Sequence, residues 1–169
     1  ETEDVSLDSV VKTVVDDLKP VAQNNMVNVQ VNTQIDAHSD TQSEAQNLTV
    51  KGNTNLLYRA LYNLVENAIR YNNEEGSVNI TLETRGQEGV VIIADTGVGI
   101  APEQRELVFE PFYRVNKSRS REFGGAGIGL SLVKTILKRH GASITVSENT
   151  PQGSVFTIRI PLVDAINFD

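Results

Sequence analysis

Cysteine is absent from the 169 residues, so the chain holds neither a disulfide framework nor a thiolate metal site, and a reducing compartment suits it. No stretch approaches the roughly 18 consecutive apolar residues of a membrane span, and the polar start Glu1-Thr2-Glu3-Asp4 is unlike a secretion signal. Both absences point to a soluble fragment. Positive charge is scarce: 15 Lys and Arg stand against 22 Asp and Glu, for a net charge of -7. A general nucleic-acid surface is thereby excluded, because phosphate backbones are bound largely through Lys and Arg. Any phosphate recognition must be local. The common phosphate loops are missing too, since there is no G-x-x-x-x-G-K-[ST] and neither glycine cluster keeps the G-x-G-x-x-G spacing.

What is present suffices for one domain, with 39% hydrophobic residues to fill a single core. Val5, Leu7, Val10, Val11, Val14, Val15, Leu18 and Val21 fall mostly on one helical stripe, predicting a helix over Val5 to Val21. Val27 to Asn32 alternates with period two and reads as a half-buried strand. Asp36 to Asn47 is almost wholly polar and reads as a solvated loop. The strongest helix signal runs from Asn53 to Tyr71, with Leu56, Leu57, Ala60, Leu61, Leu64, Val65 and Ala68 spaced by threes and fours. Strand patterns follow at Ser77 to Glu83 and at Val90 to Ala94, the second a continuous apolar run suited to the centre of a sheet. Leu130 to Arg139 reads as a helix ended by Gly141, and Ser143 to Val146 and Val155 to Ile160 as strands. No repeat or linker divides the chain, so the expected fold class is α/β: a two-layer sandwich with a mixed sheet covered on one face by helices.

Six of the twelve glycines fall in two segments, Asp95-Thr96-Gly97-Val98-Gly99-Ile100 and Gly124-Gly125-Ala126-Gly127-Ile128-Gly129-Leu130. Glycine costs backbone entropy on folding, so such bunching marks turns or places where main chain approaches a ligand. The second segment leads straight into a helix, whose first N–H groups and dipole suit an anion. On the helix from Asn53, Asn63, Asn67 and Arg70 follow at spacings of four and three and share a polar edge. Amides buried without partners cost about 1–3 kcal/mol each, so that edge meets either water or a polar ligand. Asn67, Arg70 and Tyr71 together offer a neutral oxygen for a hard cation, a positive charge for phosphate and an aromatic face for a base.

Four segments in this order resemble the boxes of the superfamily that contains sensor histidine kinases, DNA gyrase, the heat-shock ATPases and the mismatch-repair ATPases. Asn63 to Tyr71 resembles the asparagine box, and Asp95 to Ile100 the first glycine box. Phe109-Glu110-Pro111-Phe112-Tyr113-Arg114 is similar to the phenylalanine box, and Gly124 to Leu130 to the second glycine box. Gly153-Ser154-Val155-Phe156 fits the pattern before the last strand. The match is closest to the catalytic domain of bacterial sensor histidine kinases and implies a Bergerat-type ATP-binding fold with ATP and Mg²⁺ as ligands. By position, the resemblance implies that Asp95 accepts a hydrogen bond from the adenine amino group. Gly97, Gly99 and Ile100 would shape the turn around the base, and Tyr71 would pack against it. Asn67 would be the Mg²⁺ ligand with Asn63 near it, while Arg70 and Arg114 would sit by the phosphates. Gly125, Gly127, Ile128, Gly129 and Leu130 would form the lid and its hinge. Lys117, Arg119 and Arg121 add local positive charge beside Arg114. Two positions depart from the pattern: Ala126 replaces a frequent Ser or Thr, and Asn53 stands where Asp often begins the helix, although either can cap it.

In hydrolysing relatives a Glu that activates water occupies the position of Asn63. A carboxamide is no general base at neutral pH, so Asn63 favours transfer over efficient hydrolysis. The acceptor implied is a histidine on a separate dimerisation domain of the same parent kinase, with a response regulator downstream. Neither His38, in the polar loop, nor His140, beside the helix-ending glycine, has the acceptor pattern. The resemblance further implies a monomeric, cytoplasmic domain of a membrane-anchored parent. Two other readings remain open. One is a nucleotide-binding interaction module without chemistry; the other is a gyrase-like ATPase clamp, disfavoured by Asn63 and the lack of a transducer region.

Overall fold

The computed structural model describes residues 1–34, 48–115 and 129–163. The polar segment 36–47, with His38, lies outside them, as do Lys117, Arg119, Arg121 and Gly124 to Ile128.

Helix α1 (Leu7–Asn24) is capped by Ser6, whose hydroxyl accepts the Ser9 N–H at 3.3 Å. Its stripe of Leu7, Val10, Val11, Val14, Leu18 and Ala22 is buried. Val5 does not join it. That residue lies in strand β1 (Glu3–Ser6), antiparallel to β3 (Thr49–Gly52) and opposite Val50. Val5 is buried in this strand as it would have been in a helix, so its hydrophobicity alone could not distinguish the two, and the serine cap decides where the helix starts. Helix α2 (Thr54–Arg70) is the predicted central helix, with Asn53 as N-cap and Tyr71 as C-cap. Asn53 Oδ1 accepts the Leu56 N–H at 2.9 Å, so the amide serves the capping role expected of an Asp.

The main sheet has strand order β2-β4-β5-β7-β6, with β2 (Asn28–Gln34) parallel to β4 (Ser77–Arg85). The remaining pairings, of β4 with β5 (Glu88–Asp95), β5 with β7 (Ser154–Pro161) and β7 with β6 (Ser143–Glu148), are antiparallel. The register aligns Val29, Val78, Ile80, Leu82, Val91, Ile93, Phe156, Ile158, Ile144 and Val146 on one face. All of them belong to, or pack against, a single hydrophobic core. The apolar run Val90 to Ala94 does occupy the middle strand. Over this face α2 packs between α1 and α3 (Gly129–Arg139), with α2 facing β4 and β5 and α3 facing β6. Full burial of each Leu or Ile in this layer contributes about 1.5–3 kcal/mol, which is why the helices are fixed on the sheet. The arrangement is the mixed-sheet, one-face-covered sandwich expected from the sequence.

Candidate functional site

β5 presents alternate side chains to the helices, so Asp95 follows Val91 and Ile93 onto the core-facing side at the strand's end. Only 7% of this residue is exposed. Its Oδ1 accepts N–H groups from Gly97 at 2.9 Å and Ser154 at 3.2 Å. Burial pushes the carboxyl pKa above its ordinary value, outweighing the downward pull of those two bonds. Oδ2 accepts nothing from the described residues and is not among the side-chain atoms cut off from solvent. Asp95 therefore offers an oriented acceptor with one oxygen turned toward the surface.

The turn after Asp95 is compact because its first glycine has no side chain. A Cβ on Gly97 would run into the carbonyl oxygen of Tyr71 and come within 3.0 Å of Asp95 Oδ1. From the opposite side comes Gly153, at a φ of 116°, where a Cβ would overlap the Asp95 carbonyl. Asn149 Nδ2 donates to that same carbonyl at 2.8 Å. Ile100, two residues beyond Val98, packs partly buried on the core. The Val98 N–H bond to the Tyr71 carbonyl, at 3.2 Å, joins the glycine turn to the end of α2.

Along α2, Asn63, Asn67 and Arg70 share a half-buried edge beside the buried Leu64 and Ala68. Neither carboxamide has a hydrogen-bond partner among the described residues. Arg70 Nη2 lies 3.7 Å from Glu66 Oε2 in a loose pair. Gly129, at the start of α3, faces this edge: a Cβ there would stand 3.9 Å from Asn63 Oδ1. Leu130 packs partly buried beside it. Thus Gly97 and Tyr71 meet beside Asp95, Gly99 lies against Gly153, and the α2 edge faces the start of α3. Gly125, Gly127 and Ile128 lie outside the described residues. The phenylalanine segment anchors through Phe109, which is buried and meets Phe156 edge-on at 6.3 Å, with Lys134 Nζ 5.4 Å from its ring centroid. Phe112 is 75% exposed at a φ of 65°. Arg114, two residues later, is half-buried, and no contact ties it to the α2 edge among the described residues.

No cluster of three or more His, Asp or Glu able to hold a metal occurs among the described residues. A divalent cation here would need oxygens from its ligand, with a neutral side chain such as Asn67 completing the set, as suits Mg²⁺. The Asn63 and Asn67 carboxamides, without a hydrogen-bond partner among the described residues, the tight glycine turn and the partly engaged Asp95 fit a nucleotide that brings those oxygens with it.

Polar side chains that the sequence pattern does not single out also brace the turn. Asn72, 8% exposed, accepts the Asn73 N–H at 2.8 Å and donates to the Ser77 carbonyl at 2.9 Å. Thr96, Asn149 and the Ser154 N–H likewise hold the turn. The bonds of Thr96, Asn149 and the Ser154 N–H join residues far apart in sequence, and only the dense Asn content of residues 63–73 hinted at such bonding.

Residues 52–164 match the model of the histidine kinase-, DNA gyrase B- and HSP90-like ATPases, and the chain belongs to that family. It is 47% identical to the sensor histidine kinase RppB of Synechocystis over 111 residues, 66% of this chain and 24% of that protein. It is 38% identical to the sensor-like histidine kinase SenX3 of Mycobacterium tuberculosis over 167 residues, 98% of this chain and 38% of that protein. The chain thus spans well under half the length of these relatives. Among solved structures, a mycobacterial sensor histidine kinase, MprB, superposes with a TM-score of 0.78 at 25% identity, covering 95% of this chain and 97% of that one. The nucleotide-free catalytic domain of the histidine kinase ThkA gives 0.77 at 26% identity, covering 95% of each chain.

Proposed function

We propose that this chain is the catalytic domain of a sensor histidine kinase, binding ATP with Mg²⁺ and passing the γ-phosphate to a histidine on a separate dimerisation domain of its parent protein. The observation that carries this reading is the buried Asp95 carboxylate, held by two N–H groups, together with Asn63 and Asn67 on α2, whose carboxamides have no hydrogen-bond partner among the described residues. Asp95 Oδ2 would accept from the adenine amino group, with Gly97 and Gly99 keeping the turn close and Tyr71, Ile100 and Leu130 lining the base. Asn67 would hold Mg²⁺ jointly with phosphate oxygens, and Mg²⁺ would supply charge neutralisation for the transferring group. Arg70 would leave its loose pair with Glu66 for the phosphates. Arg114 and the glycines Gly125, Gly127 and Gly129, with Ile128, would close over them.

Asn63 supports transfer over hydrolysis. Its carboxamide orients a ligand by hydrogen bonding but removes no proton from water. Since ThkA has been solved in complex with the response regulator TrrA, a response regulator is the partner expected to receive the phosphoryl group afterwards. No helix among the described residues is long and apolar enough to cross a membrane, so any anchor would belong to another part of the parent protein.

Calorimetric titration of Mg²⁺-ATP into the chain and its Asp95→Asn variant tests the pocket. In the variant Oδ1 still accepts from Gly97 and Ser154, but Nδ2 meets the adenine amino group as a second donor. Affinity should fall about tenfold to a hundredfold, the worth of a hydrogen bond to a charged group. Equal affinity in both proteins would remove Asp95 from the base site.

A further inference from the structure

The two ends of the site sit on different elements. Asp95 and its turn belong to β5, whereas Asn63, Asn67 and Arg70 belong to α2. A ligand touching both ends requires a fixed span between them, and hydrophobic contact holds α2 on the sheet but, being non-directional, leaves it fine freedom of position.

A polar joint closes that freedom. The Thr96 hydroxyl donates to Asn72 Oδ1 at 3.1 Å and accepts the Ser77 N–H at 2.9 Å. Asn72 Nδ2 donates to the Ser77 carbonyl, while the Thr96 N–H donates to that carbonyl at 3.1 Å. Asn73 Nδ2 donates to the Thr96 carbonyl at 3.1 Å. Three elements meet there: the residues just after α2, the first residue of β4 and the residue after Asp95. Asn72 spends its Oδ1 on two donors and its Nδ2 on a carbonyl, so its orientation is fixed. Asp95 itself is held separately, by Gly97 and Ser154, so the joint is not needed to orient the carboxylate. What it ties is the Asp95 turn to the end of α2, beside the Val98 N–H bond to the Tyr71 carbonyl.

We propose that Asn72 and Thr96 are a positioning pair that fixes the span between the base-binding and phosphate-binding ends of the site. The proposal rests on the nucleotide reading above. It makes a distinction that a purely structural role does not: loosening the joint penalises a ligand that bridges both ends more than one held at the base end alone.

The test titrates Mg²⁺-ATP and adenosine separately into wild type, Thr96→Val, Thr96→Ser and Asn73→Ala, with thermal unfolding recorded for each. Thr96→Val keeps the shape and deletes the hydroxyl. Its ATP affinity should fall about tenfold while adenosine affinity changes less than about threefold, as expected when one or two hydrogen bonds acting on the bridging ligand are lost. Thr96→Ser should restore ATP binding to within about twofold of wild type. Asn73→Ala, at an exposed position, should show the same selective loss at smaller size, and it decides the matter if Thr96→Val does not fold. Equal losses for ATP and adenosine, or a lowered unfolding temperature with both affinities unchanged, would overturn the proposal. If wild type binds neither ligand, the nucleotide reading fails and the positioning role falls with it; wild-type binding with unselective variants would sink the positioning role alone.

Discussion

At the scale of the residue, Asp95 faces opposing demands. Folding buries a carboxylate that water would solvate better, and its pKa rises in consequence. With the folded pKa above the unfolded one, the folded state binds more protons between the two values. Stability therefore increases as pH falls through the folded pKa, and the ionised group costs stability near neutrality. Asp95→Asn should match or exceed wild type in unfolding temperature near neutral pH, with the difference shrinking as pH falls and the wild-type carboxyl takes up its proton. Scanning fluorimetry from neutral pH downward checks it; a variant uniformly less stable at every pH would mean that the carboxylate serves the fold instead of the site. For Asn67→Ala, the expected outcome is an ATP affinity that no longer responds to Mg²⁺. Equal Mg²⁺ response in both proteins would refute the ligand role.

The α2 carboxamides and Asp95 were legible in the sequence because their spacing places them on one helix edge and at a strand end. Asn72 and Thr96 were not, because their partnership spans 24 residues and depends on how β5 ends against α2. Nor was the Glu66 pairing of Arg70 foreseen, since an i,i+4 pair on a helix competes with any ligand for the same guanidinium.

At the scale of the element, helix starts and the loop before β7 carry the sharper consequences. Asn53 caps α2 through Oδ1 and also donates from Nδ2 to the Glu1 carbonyl at 3.3 Å. Asn53→Ala should cost about 1 kcal/mol in chemical denaturation, and Asn53→Asp less, because the cap survives and only the Glu1 contact is lost. A larger penalty for the Asp variant would show that the tie to Glu1 matters more than the cap. Gly153→Ala places a Cβ against the Asp95 carbonyl at a φ that disfavours any side chain. Denaturation should show a loss of about 1–3 kcal/mol from backbone strain alone, together with weaker ATP binding as the Ser154 N–H moves away from Asp95. Long amphipathic helices were readable from periodicity, and α2 ends where its caps put it. The four-residue strands β1 and β3 were not, since each offers little more than one inward valine and their pairing joins segments about 45 residues apart.

At the scale of the whole molecule, the layers expected from alternating strand and helix patterns are present, and the central apolar strand lies in the centre. His140 shows how the layers are tied. Its Nδ1 lies 2.7 Å from the Ile136 carbonyl, and its Nε2 accepts the Asn53 N–H at 3.1 Å, joining the end of α3 to the start of α2. A ring committed on both sides and packed over Gly52 is a structural histidine, in keeping with its lack of an acceptor pattern. On the proposed reading the phosphoryl acceptor lies on another domain, since His38 also lacks the acceptor pattern. The most direct measurement mixes the chain with the histidine-bearing domain proposed as its acceptor and Mg²⁺-ATP labelled on the γ-phosphate, then follows acid-labile label. Label should accumulate on that domain's histidine, vanish with Asn67→Ala, and leave little free phosphate in the absence of the acceptor. Steady phosphate release by the chain alone, with no labelled acceptor at high concentration, would contradict the kinase assignment.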